Sequence, residues 1–283
     1  MSKLFHSISY LENLQPHLRT SDETLALRDF SGSISFDTSQ RYCIGWHDLA
    51  TKETYPCPEQ ATTDSKYDTC PACQRRTGFN PAFYHATSVS PQQEVRNNEP
   101  HILYLAYMGD GYLKVGISWA ERGIRRLLDQ GARSALILDT FPTALIARQY
   151  EASIAALPHL HETTPTRTKL QLLTHTYNEA AAEKALLATK HTIETTLKTT
   201  FSGGDPLHLS EHYYDTAPPT SFTTLTTPVI SGTALACIGD ILCVQHGERT
   251  VALALKRYTG YPVTITEKIE PLDLPAEQVS LFG

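Results

Sequence analysis

Residues 101–158 constrain this chain more than any other stretch. The apolar runs Ile102-Leu103-Tyr104-Leu105-Ala106-Tyr107 and Leu113-Lys114-Val115-Gly116-Ile117-Ser118 flank a Gly109-Asp110-Gly111 turn. Short apolar runs around such a turn read as a β-hairpin, with strands over 102–107 and 112–117. Ser118 is placed to cap a helix over 119–129, and Gly131 to end it. Ala135 to Thr140 reads as a third strand. Pro142 stands where a second helix can begin. Leu145, Ile146, Gln149, Ala152, Ile154 and Leu157 carry that helix to Pro158. The order is hairpin, helix, strand, helix.

The flanks are less regular. Leu25, Leu27, Phe30, Ile34 and Phe36, separated by small and polar residues, suggest short strands. Residues 43–100 hold four cysteines, several prolines and many polar residues, a loop-rich composition that needs outside stabilisation. Residues 163–200 read as helix in two pieces. The stretch 203–229 is linker-like. Residues 230–268 alternate apolar and polar positions, with glycines at turn-like intervals, as a small β module does. The expected organisation is α+β. Residues 1–100 form an N-terminal β and zinc-binding region, 101–205 the core with a helical extension, 206–270 a C-terminal β module, and 271–283 a tail.

A chain of 283 residues with a 41% hydrophobic fraction can bury a substantial core. It has no apolar run of roughly 18 residues, so no membrane span is expected. The segment Met1-Ser2-Lys3-Leu4-Phe5-His6 lacks the apolar stretch of a secretory signal. The expectation is therefore a cytoplasmic protein, whose cysteines serve as metal ligands or buried thiols rather than disulfides. The net charge of -6 argues mildly against a general nucleic-acid coat protein. Locally the balance reverses. Lys114, Arg122, Arg125, Arg126 and Arg133 face only Glu121 and Asp129, an excess of three positives. A solvated helix face would give the same pattern.

Cys43, Cys57, Cys70 and Cys73 are separated by 13, 12 and 2 residues. The Cys70-Pro71-Ala72-Cys73 knuckle lets two thiolates reach one ion from a tight turn. Two more from an upstream hairpin complete a tetrahedral zinc site. Such an ion is structural, because four protein ligands leave no open position. Buried or redox-active thiols are the alternative. His47 and His85 are alternative ligands, although a surface or packing role is the ordinary reading of each. Cys237 and Cys243 lie on alternating β segments and read as buried thiols.

Over about 50 residues the chain resembles the GIY-YIG nuclease superfamily. Tyr104 stands at the tyrosine of its first motif, and Val115-Gly116 stand in the second. Arg126 stands at the arginine of the following helix, with Arg122 and Arg125 as near competitors. Glu151 stands at the carboxylate of a later helix. The resemblance implies Tyr104 as base, Arg126 on the phosphate and Glu151 as ligand of one magnesium or manganese ion. A hard ion suits carboxylate oxygen, and the planar fork of arginine suits phosphate. Gly116 is expected to let the backbone approach the site closely. Lys114 replaces the tyrosine of the second motif, and either binds phosphate or lowers the pKa of Tyr104. An asparagine often found after the metal glutamate has no counterpart. Taken singly, Tyr104, Arg126 and Glu151 have ordinary readings as a half-buried strand tyrosine and two surface charges.

The whole chain resembles a narrower group, the prokaryotic family domain of unknown function 2797. The stretches that carry this are Cys43-Ile44-Gly45, the cysteine cluster, Lys114-Val115-Gly116, Arg126-Leu127-Leu128-Asp129-Gln130-Gly131-Ala132, Glu151 and Gly260-Tyr261. The terminal Gln278-Val279-Ser280-Leu281-Phe282 resembles the peptide with which replication and repair proteins bind the DNA sliding clamp. Gln278, Leu281 and Phe282 would then be the contacts. The expectation is a metal-dependent DNA endonuclease of repair, replication or defence. The alternatives are a catalytically inactive zinc protein that binds nucleic acid or a clamp, and action on RNA.

Overall fold

The computed structural model describes residues 3–11, 13–78, 89–213 and 221–274. Along the chain, β1 (Phe5–Tyr10), β2 (Pro16–Thr20) and β3 (Thr24–Ala26) form a small antiparallel sheet. After β4 (Ser31–Phe36), the two-residue strands β5 (Trp46–His47) and β6 (Thr54–Tyr55) pair as a hairpin. Two short helices follow, α1 (Pro71–Thr77) and α2 (Pro91–Asn97).

The central sheet comes next. β7 (His101–Gly109) and β8 (Tyr112–Trp119) pair antiparallel around Asp110 and Gly111, at φ +46° and +73°. Two successive left-handed residues are what a tight hairpin turn requires, and Asp-Gly supplies them at little cost. The helix expected over 119–129 is shorter. A single 3₁₀ turn at Ala120–Arg122 precedes α3 (Arg125–Gln130). Ser118 stays in β8 and does not cap α3, whose N-cap residue is Ile124. Gly131 ends α3 in the left-handed conformation, as expected.

β9 (Ser134–Phe141) adds to β7, and α4 (Ala144–Ala155) starts where the Thr143 hydroxyl accepts from the Ile146 amide. β10 (Leu160–His161), α5 (Thr166–Leu173), α6 (Glu179–Leu197) and β11 (Leu207–His208) complete this part. The sheet order is β10-β8-β7-β9-β11.

The last strands are β12 (Thr223–Thr224), β13 (Val229–Ile238), β14 (Ile241–His246), β15 (Arg249–Ala254) and β16 (Val263–Thr266). They do not form a sheet of their own. The order β12-β15-β14-β13-β4-β16 inserts N-terminal β4 between β13 and β16. Residues 1–100 and 206–270 thus share one six-stranded sheet, which a division in chain order could not represent.

Strand side chains alternate between faces, and both large sheets are covered on both. In β7, Ile102, Tyr104, Ala106 and Met108 meet Leu127 and Leu128 of α3 and Ile238, Cys243 and Ala252 of the six-stranded sheet. Leu103, Leu105 and Tyr107 meet Ile154 of α4 and Leu186 and Ile193 of α6. In β14, Ile241 and Cys243 join the first of these cores, whereas Leu242 and Val244 pack with Phe5, Leu18 and Ile34. This corrects the expected apolar–polar alternation of 230–268. Strands covered on both sides carry near-continuous apolar runs.

The cysteine region is joined to the central sheet at the end of β8. The Trp119 ring carries the Arg96 guanidinium at 3.6 Å and the Lys52 ammonium at 4.6 Å from its centroid. Lys52 also pairs with Glu121 at 2.5 Å.

Candidate functional site

Two groups of polar side chains are built into these frames. The first is the cysteine cluster. The β5–β6 hairpin carries the chain from Cys43 to Cys57. Gly45, at φ +95°, makes the turn after Cys43, and a Cβ there would run into the Tyr55 carbonyl. Cys70 is the N-cap residue of α1, Pro71 begins the helix and Cys73 lies within it. All four side chains are buried, and their sulfurs lie within 4.8 Å of one another. The Cys57 and Cys70 sulfurs are 4.0 Å apart. Tetrahedral zinc with Zn–S near 2.3 Å sets sulfurs about 3.8 Å apart, so the spacing suits that ion. The Cys43 sulfur accepts from the Gly45 amide at 3.4 Å and the Cys70 amide at 3.1 Å. Such bonds orient ligating thiolates. Burial pushes the Cys43 and Cys73 thiols up, whereas at Cys70 burial is outweighed by hydrogen bonds from the Cys73 amide and the neighbouring thiols, which draw it down. The cluster can hold a structural metal such as zinc. His47 is not one of the grouped ligands, and His85 lies outside the described residues.

The second group surrounds Tyr104, which is fully buried in β7. The β7–β9 register slips by one residue between Leu103 and Tyr104, an irregularity of the kind that re-aims a side chain. Gly116 is the cross-strand partner of Tyr104. A Cβ at Gly116 would lie 2.5 Å from the Tyr104 hydroxyl and 3.1 Å from the Lys114 ammonium. The phenol and the amine therefore share the space that glycine leaves. The expected role of Gly116, close approach of backbone to a ligand, is replaced by room for these two side chains.

From α3, Gln130 Nε2 donates to the Tyr104 hydroxyl at 2.6 Å and to the Arg126 carbonyl at 3.1 Å. Burial pushes the Tyr104 phenol up, and the Arg126 guanidinium and the Gln130 amide draw it back. Burial pushes Lys114 down to about 8, with the Arg126 charge adding to the effect and Glu151 and Glu162 opposing it. The Lys114 ammonium donates to the Val115 carbonyl at 3.3 Å and lies 5.8 Å from the Tyr104 ring centroid. Glu151, on α4, is also buried. Its Oε2 accepts from Arg148 at 2.5 Å, and the same nitrogen of Arg148 lies 3.2 Å from Glu162.

Tyr104, Lys114, Gly116, Arg126 and Glu151 are thus within contact or electrostatic reach of one another. Other named residues are not in this group. Arg122 pairs with Asp129 at 2.6 Å, and Arg125 is exposed on α3. Arg133, counted above in the local excess of positive charge, is 3% exposed, with its guanidinium 4.9 Å from the Tyr177 ring centroid. Gln130, Arg148 and Glu162 were missed. Gln130 and Arg148 sit four residues after Arg126 and three before Glu151, where one helix face brings side chains together. That spacing was the available signal. Glu162 carried none, because it reaches the group only through the pairing of β10 with β8.

A cavity of about 770 Å³, lined by Arg167, Gln171, His175 and Phe222 among others, includes none of these residues. Cys237 and Cys243 are buried thiols, as expected. Gln278, Leu281 and Phe282 lie outside the described residues. Among the described residues no helix is long and apolar enough to cross a membrane.

No curated protein and no solved structure matches the chain. A family model does match, over residues 34–263, and its description is a protein of unknown function. That span takes in the cysteine cluster, the central sheet and most of the six-stranded sheet, and the chain belongs to the family of unknown function DUF2797.

Proposed function

We propose that the chain is a phosphodiester hydrolase with a GIY-YIG-like core that cuts DNA with the help of a divalent metal. One observation carries this reading. A buried tyrosine accepts a hydrogen bond, beside an arginine, and shares its space with a lysine of depressed pKa. Phosphodiester hydrolysis needs a group that takes a proton from water and a cation that holds the phosphate. In this reading Tyr104 takes the proton, Arg126 holds the phosphate oxygens and draws the phenol toward its ionised form, and Lys114 adds to that while it carries its charge.

Glu151 is the residue that would hold magnesium or manganese, an ion that stabilises the charge of the leaving oxygen when bound. Its oxygen donor suits such a hard ion, with water and substrate completing the shell. Its Oε2 accepts from Arg148, so an ion would be held through the other oxygen beside a positive guanidinium, or would displace it. This pairing favours a second reading, a zinc-containing protein that binds nucleic acid without cutting it. In either reading RNA is an alternative substrate, and the terminal Gln278, Leu281 and Phe282 would dock on a sliding clamp.

The test uses purified protein with magnesium or manganese on single-stranded, branched and duplex DNA, with RNA in parallel. Cutting is expected, and Glu151→Ala should abolish it while leaving the fold intact. Cutting that persists in Glu151→Ala places the chemistry elsewhere. Binding without cutting under any of these conditions selects the second reading.

A further inference from the structure

The geometry points to Gln130 as a positioning residue that keeps the Tyr104 hydroxyl oxygen an acceptor and so favours the phenolate that takes a proton. The inference rests on the reading of Tyr104 as the proton-transfer group and adds how that group is kept oriented. An amide can present either nitrogen or oxygen to a phenol, and the two choices have opposite consequences. Presenting oxygen would take the phenol's proton and hold it. Presenting nitrogen makes the phenol oxygen an acceptor.

Here the choice is made by the helix itself. Gln130 Nε2 lies 3.1 Å from the Arg126 carbonyl, one turn back along α3, and 2.6 Å from the Tyr104 hydroxyl. A carbonyl can only accept, so the atom facing it is the donor nitrogen. Its two N–H groups serve the carbonyl and the phenol in turn. The phenol proton is therefore directed away from α3, and the space over Gly116 that Lys114 shares lies beside it. When the proton leaves, the same N–H stabilises the phenolate.

The other charged groups that act on the phenol are Arg126 from α3, which favours the ionised form, and Glu151 from α4, which opposes it. From β8, Lys114 shares the same space. Gln130 is the one uncharged group among them. Removing its donor therefore changes a hydrogen bond without changing the local charge.

A fluorinated tyrosine, whose phenol is more acidic, is placed at position 104 of the full chain and titrated by fluorine NMR. Gln130→Met, close in size and without a donor, should raise the midpoint by about one pH unit, tenfold in the proton's equilibrium constant. Gln130→Glu, which offers an acceptor and a negative charge, should raise it further. A midpoint unchanged or lowered in both variants overturns the proposal. If neither variant folds, Tyr104→Phe decides. Loss of its acceptor should move the Gln130 side-chain amide protons upfield, and unmoved protons overturn the proposal. None of these measurements reads catalysis. Failure of the nuclease reading leaves the hydrogen-bond result standing, and the reverse also holds.

Discussion

Around Cys43, Cys57, Cys70 and Cys73 the packed apolar neighbours are few, chiefly Trp46, Ala61 and Ala72. Around Tyr104 the opposite holds. Lys114 and Glu151 are 8% and 7% exposed, beside cores contributed by three sheets and four of the helices. The cysteine region has little apolar surface with which to order its loops, and its four thiols converge on one point where they can hold a metal. The central sheet has ample apolar burial and uses part of it to hold charged groups that would otherwise be hydrated. In the first region polar atoms supply stability. In the second they cost it, because a buried charge gives up its hydration.

That contrast can be broken most forcefully at the cysteines. Chelation, or Cys70→Ser, should release one ion per chain and remove most of the order of residues 43–77. Structural zinc contributes on the order of 10 kcal/mol in small domains. Metal analysis with hydrogen exchange checks this. Protection should vanish over 43–77 and survive over 101–141. Equal loss in both regions would mean that the central sheet also depends on the metal.

A smaller effect should appear at Lys114. Its pKa is near 8 in the folded chain against 10.5 for the ordinary group. Below pH 8 both states are protonated, and the cost of burying the ammonium is fully present. Between about 8 and 10.5 the unfolded chain still holds a proton that the folded chain has lost, so stability rises with pH. The gain across that window is roughly 3 kcal/mol. Lys114→Met should lack this rise. Denaturant unfolding of both proteins between pH 7 and pH 10.5 measures it, and parallel curves would show that Lys114 is solvated.

The least disruptive probe is Gly116→Ala. One methyl group, 2.5 Å from the Tyr104 hydroxyl, must displace a buried ring, at a cost of about 1–3 kcal/mol. Thermal unfolding reads the loss. Zinc content should be unaltered, since the cysteine region is stabilised separately.

Much of the local structure could be read from residue order. The Asp110-Gly111 turn, the end of α3 at Gly131, the third strand, the paired helices of 163–200 and the Cys70–Cys73 knuckle each follow from chemistry within a few residues. The start of α3 did not. Ser118 is a good capping residue, but it lies in β8, opposite Ile102, and strand pairing overrides capping preference. The candidate site was half legible. Tyr104, Lys114, Arg126 and Glu151 stood out by type and order, whereas Gln130 and Arg148 look like ordinary helix residues until their partners are placed.

The sequence by itself determined where the chain turns, which cysteines can share an ion, and which side chains are able to move a proton or hold an anion. Those properties reside in single residues and their near neighbours. Only the tertiary structure decided that β4 crosses into the C-terminal sheet, that Arg133 is buried while Arg125 is not, and that Arg148 holds Glu151 and Glu162 together. These outcomes depend on burial between elements far apart in the chain, where the free energy of covering both faces of a sheet outweighs any local preference.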